Sequence, residues 1–316
     1  METIQLGTLR RPVTRLGFCG CPLGGYGWGD VDEHEGMAAV RRALELGITF
    51  FDTADIYGLG RSEELLSRAL GDSRHDVVIA TKFGVRRTAD GRTVRDITPR
   101  YVREALEASL RRLRIECIPL YYIHWPDGVT PIEDTVLELD RCRTAGKIES
   151  LGVSNFSAEQ LRTACSMARI SAMQVQYSLV DQALVRAIRQ TAMELDVPLV
   201  TWGSLAQGLL TGKYTASTQF LSHDRRSRYV NFQGDKLIGN LRVVDEVRCL
   251  AAQLGRSPGQ IALRWLLDSP AVGCVLFGAK RPDQVSDNVQ ACGWQLSASD
   301  YARLESLNPE RALKAA

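Results

Sequence analysis

Ile48-Thr49-Phe50-Phe51-Asp52-Thr53-Ala54-Asp55-Ile56-Tyr57-Gly58 is the stretch on which the reading of this chain turns. Ile48–Phe51 is apolar enough for a short buried strand, and Asp52 stands where that run stops. Tyr57 follows in a loop that turns at Gly58 and Gly60. A carboxylate at the end of a buried strand is costly unless something pairs with it. The next apolar run, Val77-Val78-Ile79-Ala80-Thr81, ends in Lys82 and supplies a partner. The run after that, Leu120-Tyr121-Tyr122-Ile123, ends in His124. Three successive strands thus each finish on a titratable residue.

Outward from this stretch the alternation is regular. A hairpin is expected within residues 3–14, and strands over 13–18, 48–51, 77–81, 118–123, 150–153, 172–175, 198–202 and 273–277. Between them run helical patterns over 33–46, 62–70, 98–113, 131–145, 158–168, 182–195, 240–254 and 258–267. Helices over 282–291 and near 298–307 finish the chain. Ser157 with Gln160 forms a capping box, and Thr98-Pro99 is a helix-start signal. The stretch from Gly203 to Gly234 breaks the rhythm and reads as irregular. Near-continuous apolar strands alternating with helices predict a parallel sheet covered on both faces. Eight such units predict a closed (β/α)₈ barrel. An open dinucleotide-binding sheet would need a Gly-x-Gly-x-x-Gly turn after its first strand, and Gly17–Gly25 lacks that spacing. No linker or low-complexity segment divides residues 1–316, so one barrel domain is expected.

Composition narrows the function classes. At 316 residues, 45% apolar and 24% charged, the chain has the make-up of an ordinary globular enzyme. A formal charge of +2 gives no reason to expect nucleic acid or a membrane surface as a partner. No apolar run approaches the roughly 20 residues of a membrane span. The start, Met1-Glu2-Thr3, lacks the features of a secretory signal. Most of the eight cysteines fall inside apolar runs, and Cys19 with Cys21 has no second pair to complete a zinc site. A reducing, cytoplasmic setting without a metal is the expectation.

In a barrel, strand carboxyl ends meet on one face, where active sites are built. Asp52, Lys82 and His124 would converge there, with Tyr57 above them. A nearby ammonium should favour the phenolate form of Tyr57, and Asp52 should hold that ammonium in place. The histidine can then orient a substrate oxygen. Taken singly, each has a plainer reading: an ion pair, a structural histidine, a packed tyrosine. Their convergence on one face favours protonation of an oxygen while another group attacks the adjacent carbon.

Several motifs resemble those of the aldo-keto reductase family: Phe51-Asp52-Thr53-Ala54-Asp55-Ile56-Tyr57-Gly58, Thr81-Lys82-Phe83-Gly84, Tyr122-Ile123-His124-Trp125-Pro126-Asp127, Gly152-Val153-Ser154-Asn155-Phe156 and Gly208-Leu209-Leu210-Thr211-Gly212-Lys213-Tyr214. The likeness covers essentially the whole chain. It implies a (β/α)₈ barrel that takes NADPH without a Rossmann fold, with Asp52, Tyr57, Lys82 and His124 as the catalytic tetrad. By the same likeness Ser154, Asn155 and Gln174 would hold the nicotinamide carboxamide. Trp202 would stack on its ring, where the family more often has Tyr. Gly20, Asp52, Ser204, Leu205, Gln207 and Lys213 would contribute to the cofactor cleft, the last four along the pyrophosphate. Gly278, Lys280, Gln284 and Asn288 would grip the adenosine end. Lys280 and Arg281 before a helix start also make physical sense as a phosphate site. Tyr26, Trp28 and Trp125 are candidates for the substrate wall, since aromatic side chains at a barrel mouth make apolar surfaces.

The implied reaction is NADPH-dependent reduction of an aldehyde or ketone to an alcohol. Two alternatives come with the resemblance: reduction of an activated alkene, and a cofactor-binding regulatory subunit of the channel-associated type. Relatives that reduce alkenes carry Glu in place of the tetrad His, whereas this chain has His124. Neither the carbonyl substrate nor the oligomeric state is legible in the residues.

Overall fold

The computed structural model describes residues 1–25, 27–29 and 31–307. Its centre is a closed parallel barrel in the strand order β10-β11-β12-β3-β4-β5-β8-β9. These are β3 (Leu16–Cys19), β4 (Phe50–Asp52), β5 (Val78–Phe83), β8 (Ile118–Ile123), β9 (Ile148–Ser154), β10 (Ile170–Gln176), β11 (Leu199–Trp202) and β12 (Val272–Gly278). Around them run α1 (Glu33–Glu45), α2 (Arg61–Leu70), α3 (Pro99–Leu113), α4 (Ile132–Thr144), α5 (Ala158–Met167), α6 (Ala183–Glu194), α7 (Gly234–Leu254), α8 (Pro258–Asp268) and α9 (Pro282–Val289). A last helix, α10 (Ala298–Glu305), packs on α8.

The helix ends follow from local chemistry. Asp32 caps α1 by accepting from the Glu35 amide, and Thr98 caps α3 ahead of Pro99. The capping box expected at Ser157 and Gln160 opens α5, and a second one, Ser257 with Gln260, opens α8.

Strand parity divides the interior from the outer layer. Phe50, Val78, Ala80, Leu120, Tyr122, Ala172, Val200, Cys274 and Leu276 form one cluster inside the barrel. Their strand neighbours Phe51, Ile79, Tyr121, Met173, Leu199 and Val275 belong to the larger cluster under the helices. Successive side chains on a strand alternate faces, so the inward set continues two residues onward. Asp52 follows Phe50, Lys82 follows Ala80, His124 follows Tyr122, Gln174 follows Ala172 and Trp202 follows Val200. The same parity that fills the barrel also aims the polar groups at its mouth. Gly152 shows how full the interior is: a Cβ there would lie 2.4 Å from Cε1 of Tyr122.

Three details differ from the sequence expectations. The first strand divides in two. Val13–Thr14 (β2) pairs antiparallel with Thr3–Ile4 (β1), and the barrel strand proper starts at Leu16. The hairpin carries Leu6, Leu9 and Val13 into the inner cluster and closes the end of the barrel opposite the site. A second hairpin, β6 (Val85–Arg87) with β7 (Thr93–Arg95), follows β5 directly. Its arginines gave it no apolar alternation to read, and pairing through Asp90-Gly91 forms it instead. Finally, α7 begins at Gly234 rather than Asn240, directly at the end of the expected irregular stretch, which holds three 3₁₀ turns. Among the described residues, no helix is long and apolar enough to cross a membrane.

Candidate active site

The centre of the site is a buried ion pair. Lys82 Nζ lies 2.6 Å from Asp52 Oδ1 and donates to the Thr53 carbonyl at 2.8 Å. Both side chains are shut off from solvent, at 0% and 1% exposure. An unpaired charge at this depth would be very costly, so each holds the other in its rotamer. The second carboxylate oxygen accepts from Gln174 Nε2 at 2.7 Å, and the Cys19 thiol lies 3.9 Å from the first. Burial raises the Asp52 pKa above the ordinary carboxylate value, against the pull of Lys82, Gln174 and Cys19.

Tyr57 and His124 stand over this pair. The Lys82 ammonium sits 5.0 Å from the centroid of the Tyr57 ring. The rings of Tyr57 and His124 meet edge to face at 5.8 Å and 84°. Burial pushes the Tyr57 phenol well above its ordinary value, and Cys21, Cys19 and Asp52 push the same way against Arg225. The ammonium is committed to Asp52 and Thr53, and desolvation of the ring outweighs it. Burial, reinforced by Lys82 and Arg95, holds His124 well below its ordinary value, so the imidazole is neutral at neutral pH. Its Nδ1 is buried without a hydrogen-bond partner among the described residues.

Beside the four lies a second network. Asn155, with φ of 61°, donates to the His124 carbonyl at 3.0 Å and to Ser154 Oγ at 2.9 Å. Its carbonyl oxygen accepts from Trp202 Nε1 at 3.2 Å. Ser154, Asn155, Gln174 and Trp202 are thereby gathered on one side of the mouth. Asn155 takes the left-handed conformation because its short polar side chain compensates locally with these bonds.

Farther along, the segment after β11 carries Ser204, Leu205, Gln207 and Lys213. Ser204 is anchored to Thr201, and Gln207 adopts φ of 55°. Burial, Arg226 and Arg281 together lower the Lys213 pKa. This convergence of cations is the feature that fits an elongated polyanion such as a dinucleotide phosphate. Lys280 donates through its amide to Gln284 Oε1 at 2.8 Å and through Nζ to the Trp28 carbonyl. Gln284 and Asn288 lie on α9, with Asn288 buried, while Arg281 pairs with Asp283 at the exposed helix start. Gly20 is held by its amide on the Asp52 carbonyl at 2.7 Å and by Ser62 on its own carbonyl. Gly278 packs against Pro22, where an added Cβ would come within 3.1 Å.

Of the substrate-wall candidates, Trp125 lies beneath the Arg95 guanidinium at 4.6 Å, and Trp28 buries its Nε1 beside the Cys21 thiol. Tyr26 lies outside the described residues. Sequence reasoning had given no part to Cys19, Arg95, Arg226 or the main-chain oxygens of Thr53 and Trp28. Cys19 was findable, since it closes β3 with the parity of the inward set; the others act through backbone or loop contacts that leave no periodic trace.

This site sits in a chain whose residues 19–309 match the family model described as "Aldo/keto reductase family". The chain belongs to the aldo-keto reductase family. As such it is an enzyme, an oxidoreductase of a family that uses NADP(H). It is similar to the aldo-keto reductase YhdN of Bacillus subtilis, with 33% identity over 97% of this chain and 93% of the relative. It is 32% identical to the aldo-keto reductase yakc [NADP(+)] of Schizosaccharomyces pombe, over 90% and 88% of the two chains. Among solved structures it resembles the glycerol dehydrogenase AKR11B4 of Gluconobacter oxydans, with a TM-score of 0.89, 35% identity and coverage of 97% and 94%. The holo form of aldo-keto reductase AKR11C1 from Bacillus halodurans gives 0.82 and 28%, covering 97% and 96%. The expected family and barrel class are thus both met.

Proposed function

We propose that this aldo-keto reductase reduces an aldehyde or ketone to an alcohol with NADPH, and that Tyr57 is the general acid. The observation that carries this reading is the stacking of Lys82, Tyr57 and His124 in one contact chain over a buried carboxylate. The dinucleotide, when bound, supplies the hydride to the carbonyl carbon. Ser154, Asn155, Gln174 and Trp202 would hold its nicotinamide end, Lys213 and neighbouring loop residues its pyrophosphate, and Lys280, Gln284 and Asn288 its adenosine end. Gly20 and Gly278 would shape the cleft by letting backbone approach closely.

With its pKa raised by burial, Tyr57 stays a phenol through the working range and is a proton donor to the carbonyl oxygen. The Lys82 cation at its ring face stabilises the phenolate left behind. Asp52 keeps that cation in place. Neutral His124 gives one hydrogen bond to the substrate oxygen and fixes the carbonyl within reach. Trp28 and Trp125, with Tyr26, are proposed as the substrate wall. The chain is read as one barrel domain, and its eight unbridged cysteines support a reducing cytoplasm as its setting.

Retention of His124 selects carbonyl over alkene reduction. Incubation with an α,β-unsaturated ketone and NADPH, with the product analysed by mass and NMR, is expected to give the unsaturated alcohol. A saturated ketone as main product would overturn the assignment.

A further inference from the structure

Asp52 and Gln174 sit on β4 and β10, which are four strands apart in either direction around the barrel. The 2.7 Å contact between Gln174 Nε2 and Asp52 Oδ2 therefore crosses the full width of the interior. Both side chains are buried, at 2% and 1% exposure, where an unmet carboxylate oxygen carries a large desolvation cost. Oδ1 is occupied by Lys82 at 2.6 Å with the Cys19 thiol beside it, and Oδ2 by Gln174. Removing the amide would free the carboxylate to rotate and share its oxygens differently with Lys82. The Gln174 main chain is tied to the opposite side of the mouth, because its carbonyl accepts from the Asn155 amide at 3.0 Å.

We propose that Gln174 is a positioning residue for the tetrad: its amide nitrogen holds the second oxygen of Asp52 so that the first stays on Lys82. The same side chain is among those proposed to hold the nicotinamide carboxamide, so seating of the cofactor and orientation of the Lys82 ammonium meet in it. The catalytic consequence rests on the function proposed above; the contact itself does not.

The charged and titratable groups facing Asp52 are Lys82 on β5, Cys19 on β3, Tyr122 on β8 and Cys274 on β12, with Tyr57 and Cys21 from the loops. A thermal-unfolding cycle on the full chain without cofactor isolates Gln174 from them. Gln174→Met should lower Tm at pH 7.5 by roughly 3–6 °C, and by much less in an Asp52→Ala background. Equal losses in both backgrounds would mean that Gln174 packs without holding Asp52. Should a variant of the cycle not fold, Gln174→Glu decides. Two buried carboxylates in contact raise one folded-state pKa, so the folded form binds more protons and stability rises as pH falls from 8 to 5. A Tm profile parallel to wild type overturns the proposal. With saturating NADPH, Gln174→Met should also lose about 10-fold in kcat beyond any change in Kd; an unchanged kcat confines Gln174 to cofactor binding and overturns it as well. Absence of NADPH oxidation by wild type would instead count against the proposed function, leaving the cofactor-free cycle to decide this inference.

Discussion

At the scale of single residues, the decisive quantity is the protonation state of two half-buried rings at the barrel mouth. Tyr57 is held as a phenol and His124 as a neutral imidazole, in both cases chiefly by loss of water. Tyr57→Phe removes the donated proton and touches nothing assigned to the dinucleotide. It should lower kcat for carbonyl reduction by about 10²- to 10⁴-fold, with NADPH affinity, measured by fluorescence titration, nearly unchanged. A kcat within a few-fold of wild type would remove Tyr57 from the acid role. Charge readout at the adenosine end is a second residue-level expectation. Lys280 should favour the 2′-phosphate of NADPH over NADH by about 10- to 150-fold in affinity, and Lys280→Ala should narrow that ratio in parallel titrations of both cofactors. Equal affinities in wild type would remove Lys280 from that role.

At the scale of elements, each barrel strand has one inward set, and chemistry is the last member of that set. The interior is therefore as much a support for the site as a core. Gly152 on β9 lies against the rigid ring of Tyr122, two residues before His124 on the neighbouring strand. Gly152→Ala forces that ring to shift, an overpacking cost of about 1–3 kcal/mol. It should lower Tm and also displace His124, so kcat should fall even where the fold survives. Circular dichroism melts with steady-state kinetics check both; a neutral effect on Tm would show that the interior has slack there. Helix starts were readable where a side chain caps the backbone, as at Thr98 and Ser157. The β6–β7 hairpin was not, because Val85-Arg86-Arg87 has no buried face to impose alternation.

At the scale of the whole molecule, burial of ionisable groups makes stability depend on pH in opposing ways. The His124 pKa is depressed in the folded protein, so the unfolded chain binds the proton more readily as pH drops below the ordinary histidine value near 6.5. Its contribution to folding is thus lost on acidification. Asp52 is raised, and its contribution runs the other way. Comparing Tm from pH 7.5 down to 5 in wild type and His124→Asn, the variant should lose less stability than wild type over that window. Identical slopes would mean that the imidazole is not desolvated enough to matter.

By itself the sequence determined the barrel, its eight alternating units and the face on which Asp52, Lys82 and His124 meet. Each of these follows from local rules: apolar runs of strand length, caps between them, and a titratable residue at the end of three successive runs. Tertiary structure alone decided how those residues act. That Gln174 reaches Asp52 across 122 residues of chain, that Asn155 braces the His124 carbonyl, and that Lys280 is drawn onto Trp28 are consequences of barrel closure. Solvent exclusion belongs to the assembled interior, and no spacing of residues along the chain records it.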